Sequence, residues 1–460
     1  MNLRKFFSLI TVIAILMSTG FGCKGLSTVE KQAIAPVELE YWTVLDDVDA
    51  IRALIDEYVG PRSYLNVTVR QLREDELYSR LVEALAEDKG PDIVSVPNRL
   101  MSAYRSKLAV MPTSVDDATV QVIKKKLGTD TIVTINNQIM PSVSNIDSEY
   151  VQAVKKDVVY GNNIYGLPLS LDVMAIYYNK DLLDRAGVPE APKNWSEFQT
   201  AVKKLNKYDS EGEIVQSGAA LGLAQNILGF DDLIFALFKQ SGIEFVDKNG
   251  YATFDQYKSY GSGVNPVVSV MNFYTDFANS NRDTYSWNDK MGISLDEFVR
   301  GKTAFYFGYS SDAKKIKALS PQLNVRLMPL LQLNSDLSVN VANYWVQSVL
   351  NKSNHQQEAW GLVNYLAHSS ATKKYLDLTG RPTALRAYIT EQSGQNNLSA
   401  FSSQVLSADS WYRGKNYPDA KGALADMIKE WLQTPPDNYA QDRWQQEIIN
   451  RAAARINQTL

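Results

Sequence analysis

The sequence predicts an α/β fold. Strand-like and helix-like segments alternate along the chain, the strand segments are rich in β-branched residues, and only short turns connect them. Val37-Glu38-Leu39-Glu40-Tyr41-Trp42 alternates apolar and polar residues, the period of a strand. Val48, Ile51, Ile55 and Tyr58 then recur at helical spacing, marking an amphipathic helix. Asn66 to Leu72 reads as a second strand, and Leu77, Leu81, Val82 and Leu85 as the apolar face of a second helix. Gly90-Pro91 stops that helix, and Asp92 to Val96 forms a third strand ending at Pro97. Strands joined through helices by short turns imply right-handed crossovers and a mostly parallel sheet covered by helices.

The same alternation recurs downstream. Val173 to Tyr178 is a strand, and Asn179 to Ala186 a helix closed by Gly187. Trp195 to Leu205 is a helix with capping chemistry in Asn194-Trp195-Ser196-Glu197. Thr303 to Phe307 and Tyr344 to Leu350 are strands, and Gln356 to His368 is a helix. A chain of 460 residues suggests two or three domain-sized units, at roughly 100–200 residues each. No repeat or long linker separates them, so the units are interwoven or joined by segments too short to show in composition.

Charge and rare residues exclude several functions. With 47 Lys+Arg against 51 Asp+Glu the net charge is −4, which does not suit a binder that neutralises phosphates, so no nucleic-acid partner is expected. One cysteine permits neither an intramolecular disulfide nor a CxxC-type zinc site. The two histidines, His355 and His368, sit at a turn and a helix end, where structural roles suffice. There is no G-x-S-x-G, P-loop or H-E-x-x-H pattern. No catalytic residue, metal or cofactor is expected. A glycosidase would need two particular carboxylates, and nothing singles out a pair.

The first residues read as an address. Arg4 and Lys5 precede the apolar run Leu9 to Met17, and small residues lead to Gly22-Cys23. Residues 1–22 are expected to be a signal peptide. Cys23 resembles the acylated cysteine of a bacterial lipobox, although Gly20 and Phe21 stand where Leu-like and small residues are usual. Acylation there would anchor the protein to a membrane, with 23–36 as a polar tether.

Aromatic residues beside small polar groups are the remaining signal, from 25 Tyr, 15 Phe and 8 Trp. Trp42 precedes a loop carrying Asp46 and Asp47, Tyr309-Ser310-Ser311-Asp312 follows a strand, and Trp411-Tyr412-Arg413 lies in a polar stretch. Ligands of open α/β sheets bind where strands end at their carboxyl side. A ring face beside carboxylates suits a sugar, whose C–H face packs on the ring while its hydroxyls donate. The competing reading is that each ring only fills core or interface.

Four stretches make the chain similar to a family. Gly90-Pro91-Asp92-Ile93-Val94 is the first; Tyr165 to Asp172, continuing through Ile176 to Leu183 and Pro192-Lys193-Asn194-Trp195, is the second. Phe298-Val299-Arg300-Gly301-Lys302-Thr303-Ala304-Phe305 is the third, and Trp360 to Leu366 with Gly380-Arg381-Pro382-Thr383 the fourth. From about Val37 to its end the chain resembles the solute-binding proteins of bacterial ABC importers, in the maltose-binding-protein-like group.

That resemblance implies two α/β lobes of the type II periplasmic-binding-protein fold, with a ligand cleft between them. It places 37–172 and 330–378 in one lobe, and 173–329 and 379–460 in the other. Hinge residues would be Asp172, Val173, Pro329 and Arg381, and cleft residues Trp42, Asp46, Asn98, Asp172, Gln225, Asn226, Tyr309, Ser310, Trp345 and Trp411. It implies a non-enzymatic monomer outside the cytoplasm, periplasmic or lipid-anchored through Cys23, that captures a small polar solute, most simply a mono- or oligosaccharide, for a membrane permease. A peptide or polyamine cargo, or a secreted glycoside-active enzyme, are the alternatives.

Overall fold

The computed structural model describes residues 26–44, 47–125, 128–248, 250–257, 264–333 and 338–460. The expected signal peptide, Cys23 and Asp46 lie outside the described residues. Two five-stranded sheets form the framework. The first runs in the order Leu65–Gln71, Val37–Thr43, Ile93–Pro97, Trp345–Val349, Leu167–Pro168. Its first three strands are parallel, as their helical crossovers demand. Trp345–Val349 returns from elsewhere in the chain and pairs antiparallel, Val346 opposite Val96. Every residue of Ile93–Pro97 is buried, because helices cover both faces. Helix Val48–Val59 buries Ile51, Leu54, Ile55 and Tyr58, and helix Glu74–Ala86 buries Leu77, Leu81 and Leu85. Val82, expected on that buried face, is exposed, since it sits roughly 100° around the helix from Leu81.

The second sheet orders Lys207–Tyr208, Ile214–Ala219, Thr303–Gly308, Ala175–Asn179 and Val325–Pro329. Only Ile214–Ala219 and Thr303–Gly308 are parallel; Ala175–Asn179 is antiparallel to both of its neighbours. This sheet is therefore mixed. On one face Phe305 and Phe307 pack on Phe198 and Trp195, with ring centroids 4.9 and 6.1 Å apart. On the other, Tyr177 meets Tyr306 and Phe401 at 5.8 and 6.2 Å.

A small three-stranded sheet connects the two cores: Ala408–Asp409, Asn340–Asn343 and Asp172–Val173. At these strands the two apolar clusters meet. Val173, Ala342 and Ala408 pack in the first, and Met174, Val341 and Trp411 in the second. Buried amides brace these crossings. The Asn340 side chain donates to the Met174 carbonyl at 2.8 Å and accepts from its N–H at 3.1 Å.

Of the expected hinge residues, Asp172 and Val173 form one of these three strands. Pro329 and Arg381 lie outside this three-stranded sheet. Pro329 ends an edge strand, after which Leu330 and Leu331 still pack in the second core. The run from Ala384 to Ala408 touches both sides: the Val151 N–H donates to the Ala384 carbonyl at 3.0 Å, while Phe401 packs on Tyr177 of the second sheet. Sequence periodicity also gave no sign of a long hairpin, Ser114–Lys124 against Thr129–Ile139, that leaves the first lobe.

Candidate functional site

Between the cores lies a cavity of about 790 Å³. Its first wall carries Val44, Leu72, Pro97, Arg99 and Trp345; the second carries Leu228, Gly229, Asp231, Asp232, Tyr309, Tyr417 and Lys421. Asp172 and Asn343, from the connecting strands, also line it.

The site's charged centre arises from two local choices. After Pro97 the chain makes a short 3₁₀ turn, Asn98–Leu100, in which Asn98 points inward and Arg99 into the cavity. Opposite it, helix Phe230–Gln240 begins at Gly229, whose φ of +68° suits glycine, and a Cβ there would lie 3.2 Å from the Met174 side chain. Asp231 and Asp232 occupy the first turn of that helix, where unpaired N–H groups favour negative charge.

Arg99 spans the lobes. Its guanidinium donates to Asn343 Oδ1 at 2.9 Å, to Asp232 Oδ2 at 3.5 Å and to the Tyr417 hydroxyl, and lies 3.9 Å from Asp231 Oδ2. The Tyr417 hydroxyl in turn donates to Asp231, and the Tyr309 hydroxyl to Asp232. Trp411 Nε1 donates to Asp232 Oδ1 at 2.9 Å, and Lys421 Nζ sits 3.2 Å from Asp231 Oδ1. Burial raises the Asp232 carboxyl above its usual range, opposed by the Arg99 charge and reinforced by the Asp231 charge. Burial also disfavours the Arg99 cation, yet Asp232, Tyr417 and Asp231 hold it firmly protonated. The result is a pre-organised, mixed-charge floor flanked by aromatic rings.

Of the residues expected in the cleft, Asp172, Tyr309 and Trp345 line it. Ser310 is buried beside the lining and donates through Oγ to Asp172 at 2.6 Å. Trp411 is no platform in this cavity. It is packed behind Asp232, with its ring centroid 5.7 Å from that of Tyr417, and lines a separate cavity with Lys239 and Asp409. Trp42 is buried in the first core, because both faces of its strand are covered, and its Nε1 donates to Glu40 at 2.7 Å. Asn98 is a brace, donating to the Ala342 carbonyl at 3.1 Å and to Ser410 Oγ at 2.7 Å. Asn226 holds a loop through the Asn288 and Met291 carbonyls at 2.9 and 3.1 Å, and Gln225 is exposed away from the cavity lining. The sequence reading missed Arg99, Asp231, Asp232, Asn343 and Tyr417. A lone Arg after Pro97-Asn98 and two adjacent acids opening a helix were the available signals.

The residues from 57 to 400 match the family model described as bacterial extracellular solute-binding protein. The chain belongs to that family. Its members are solute-binding proteins rather than enzymes, and their place is outside the cytoplasm. This solute-binding protein is 26% identical over 230 residues to the multiple sugar-binding protein of Streptococcus mutans, covering 48% of this chain and 52% of that one. To the arabinooligosaccharide-binding protein of Halalkalibacterium halodurans it is 22% identical over 227 residues, 47% and 42% of the two chains. It spans between 23 and 52% of the length of the curated relatives it matches. The crystal structure of a cyclic α-maltosyl-1,6-maltose binding protein from Arthrobacter globiformis superposes with a TM-score of 0.69 at 17% identity, over 92% of this chain and 99% of the other. The two-lobe α/β fold is therefore that of the maltose-binding-protein-like group.

A second set of charges bears on how the lobes are held. Asp409, on the third connecting strand, accepts from Lys156 of the first lobe at 3.0 Å, Lys239 of the second at 2.5 Å and Arg413 at 3.1 Å. Burial opposes its charge, but Arg413, Lys239 and Lys156 together hold the carboxyl well below the usual carboxylate range. Both lysines are nearly half exposed, so screening limits each pair. Asp409→Asn is expected to cost about 1–2 kcal/mol of stability in low salt and less in 1 M NaCl, read by urea unfolding.

Proposed function

We propose that the protein is the ligand-capturing component of an ABC importer for a mono- or oligosaccharide. The observation that carries this reading is the cleft itself. The Trp345 ring on one wall and Tyr309 and Tyr417 on the other enclose fixed carboxylate and guanidinium groups. A pyranose has an apolar C–H face for such rings and hydroxyls that both donate to Asp232 and accept from Arg99. The sugar-binding names of the relatives agree with this chemistry. No nucleic-acid contact or metal chemistry enters it.

The three connecting strands serve as the hinge in this reading, with Asp172, Val173 and the Asn340–Asn343 segment as its pivots. Pro329 and Arg381 lie beside rather than on it. Sugar stabilises the closed form only through contacts that the open form lacks, and those come from touching both walls at once. The closed protein is what a membrane permease would dock. Capture works as a monomer, anchored outside the cytoplasm by acylated Cys23.

The test is calorimetry of the purified protein against a panel of neutral mono- and oligosaccharides, with amino acids and polyamines as controls. At least one sugar is expected to bind in the micromolar range, about −8 kcal/mol. Trp345→Ala is expected to weaken that sugar about tenfold, roughly 1.4 kcal/mol, while leaving thermal stability nearly unchanged. Binding only of polyamines or amino acids would overturn the sugar assignment, and hydrolysis of any glycoside would overturn the binding role.

A further inference from the structure

The hairpin Ser114–Lys124/Thr129–Ile139 is unusual for a soluble protein. Its root is built into the first lobe. Arg62 Nη2 pairs with Asp117 Oδ2 at 2.6 Å, and the Val120 N–H donates to the Pro61 carbonyl at 2.7 Å. Beyond Val120 the arm changes character: Gln121 to Lys124 on one strand and Thr129 to Ile132 on the other are all exposed. An antiparallel hairpin with one solvated face should keep that face polar. Here the strand register puts aliphatic side chains on both faces. Val122, 59% exposed, lies opposite Thr131 on one face; Ile132, 45% exposed, lies opposite Gln121 on the other, with Ile123 beside it. A flat protein partner would cover one face only. A tip apolar on both sides, with Lys124 at its end beside Lys125, which pairs with Asp130, fits a medium it can dip into.

The chain's own course says which medium. The strand Thr129–Ile139 packs against helix Thr28–Ala33, the first described helix. From Cys23 to Thr28 are five residue steps, which reach at most about 18 Å. If Cys23 carries the lipid, as the reading above has it, the hairpin is held beside the bilayer. Lysines attract an anionic leaflet, and the aliphatic tip gains by burial at the headgroup boundary.

We propose that the distal half of this hairpin is a membrane-contacting arm that seats Val122, Ile123 and Ile132 in the interface of an anionic bilayer, with Lys124 and Lys125 on its headgroups. It acts as a second foothold beside the N-terminal anchor and restrains the first lobe against the membrane.

The experiment uses the full-length protein anchored in nanodiscs of phosphatidylglycerol containing a brominated lipid. A fluorophore is placed on Ile123→Cys and, as the reference, on Tyr208→Cys, which is exposed at an edge of the second sheet. The unsubstituted protein reports any labelling of Cys23, and its mass reports acylation, so failure of the anchor reading is seen separately from failure of the arm. Quenching at residue 123 is expected to exceed that at 208 at least threefold. It should fall to the reference level with Lys124→Glu/Lys125→Glu, with Ile132→Asp, or in phosphatidylcholine discs. Equal quenching at both positions overturns the proposal. So does a label at 123 that becomes shielded only as protein concentration rises, which would mean that the arm pairs with a second copy.

Discussion

Replacing Arg99 with methionine is expected to lower unfolding stability by about 3–5 kcal/mol and to abolish measurable sugar binding. The size of the effect follows from what Arg99 leaves behind. Asp231 and Asp232 have side chains only 1% and 3% exposed, and Arg99 is the cation that touches both. Lys421 reaches Asp231 alone and is 40% exposed. Without the guanidinium, two adjacent carboxylates share a low-dielectric site with one partial counterion, so one must take a proton or water must enter. Removing one partner of a buried pair is the costly operation; neutralising both partners is far milder. Asp232→Asn in the Arg99→Met background is therefore expected to recover a good part of the lost stability and none of the binding. Urea unfolding and calorimetry on the two variants check this. A shift in unfolding free energy below about 0.5 kcal/mol for Arg99→Met would mean that the interlobe contact is not formed.

That cluster also shows what the sequence could and could not tell. The strands and helices around Val37–Pro97 were legible because each has one dominant period and a clear stop, such as Gly90-Pro91. The first connecting strand was legible because Asp172 ends a distinctive run. The other two were not, because Pro329 and Gly380-Arg381-Pro382 break local structure outside them. A turn signal marks where the chain bends, and nothing local marks which sheet the next segment joins. Among cleft residues, Asn98 and Arg99 differ by one position in a 3₁₀ turn, which sends the first side chain to the brace and the second to the cavity between the cores. Trp411 was chosen for being a tryptophan in a polar stretch. Its indole N–H does serve the site, but through Asp232 from behind. Asp231 and Asp232 look like ordinary first-turn acids until the fold sets against them an arginine that lies 133 residues before Asp232.

Asp172 carries the other large effect, and its sign is the less obvious one. The carboxylate accepts from the Ser310 N–H at 3.0 Å, the Ser310 hydroxyl at 2.6 Å and the Ser311 N–H at 3.3 Å, tying a connecting strand to the start of helix Ser310–Leu319 in the second lobe. These bonds, with the Arg381 charge, favour the ionised form, but burial outweighs them and pushes the carboxyl up to about 6 from 3.8. The folded state therefore binds the proton more tightly than the unfolded chain does. The stability this contributes is complete below about pH 4 and is lost as pH rises through 6, a change of roughly 3 kcal/mol. Asp409 and Glu149, whose hydrogen-bonded partners hold them low against the opposing effect of burial, pull in the opposite direction, mainly below about pH 5. The difference between the protein and its Asp172→Asn variant isolates the Asp172 effect. Unfolding free energies measured from pH 4 to pH 8 are expected to show the native chain losing ground to the variant between pH 4 and 6, with a constant gap above 7. Parallel curves through that window would show that Asp172 ionises as easily as a carboxyl in water. If the gap does open, this connecting strand carries a costly charge at neutral pH, held by the Ser310 and Ser311 donors, the Val173 N–H and the Arg381 charge. A movement that separates Asp172 from Ser310 would then have to rehydrate or protonate that carboxylate, which couples the position of the lobes to acid.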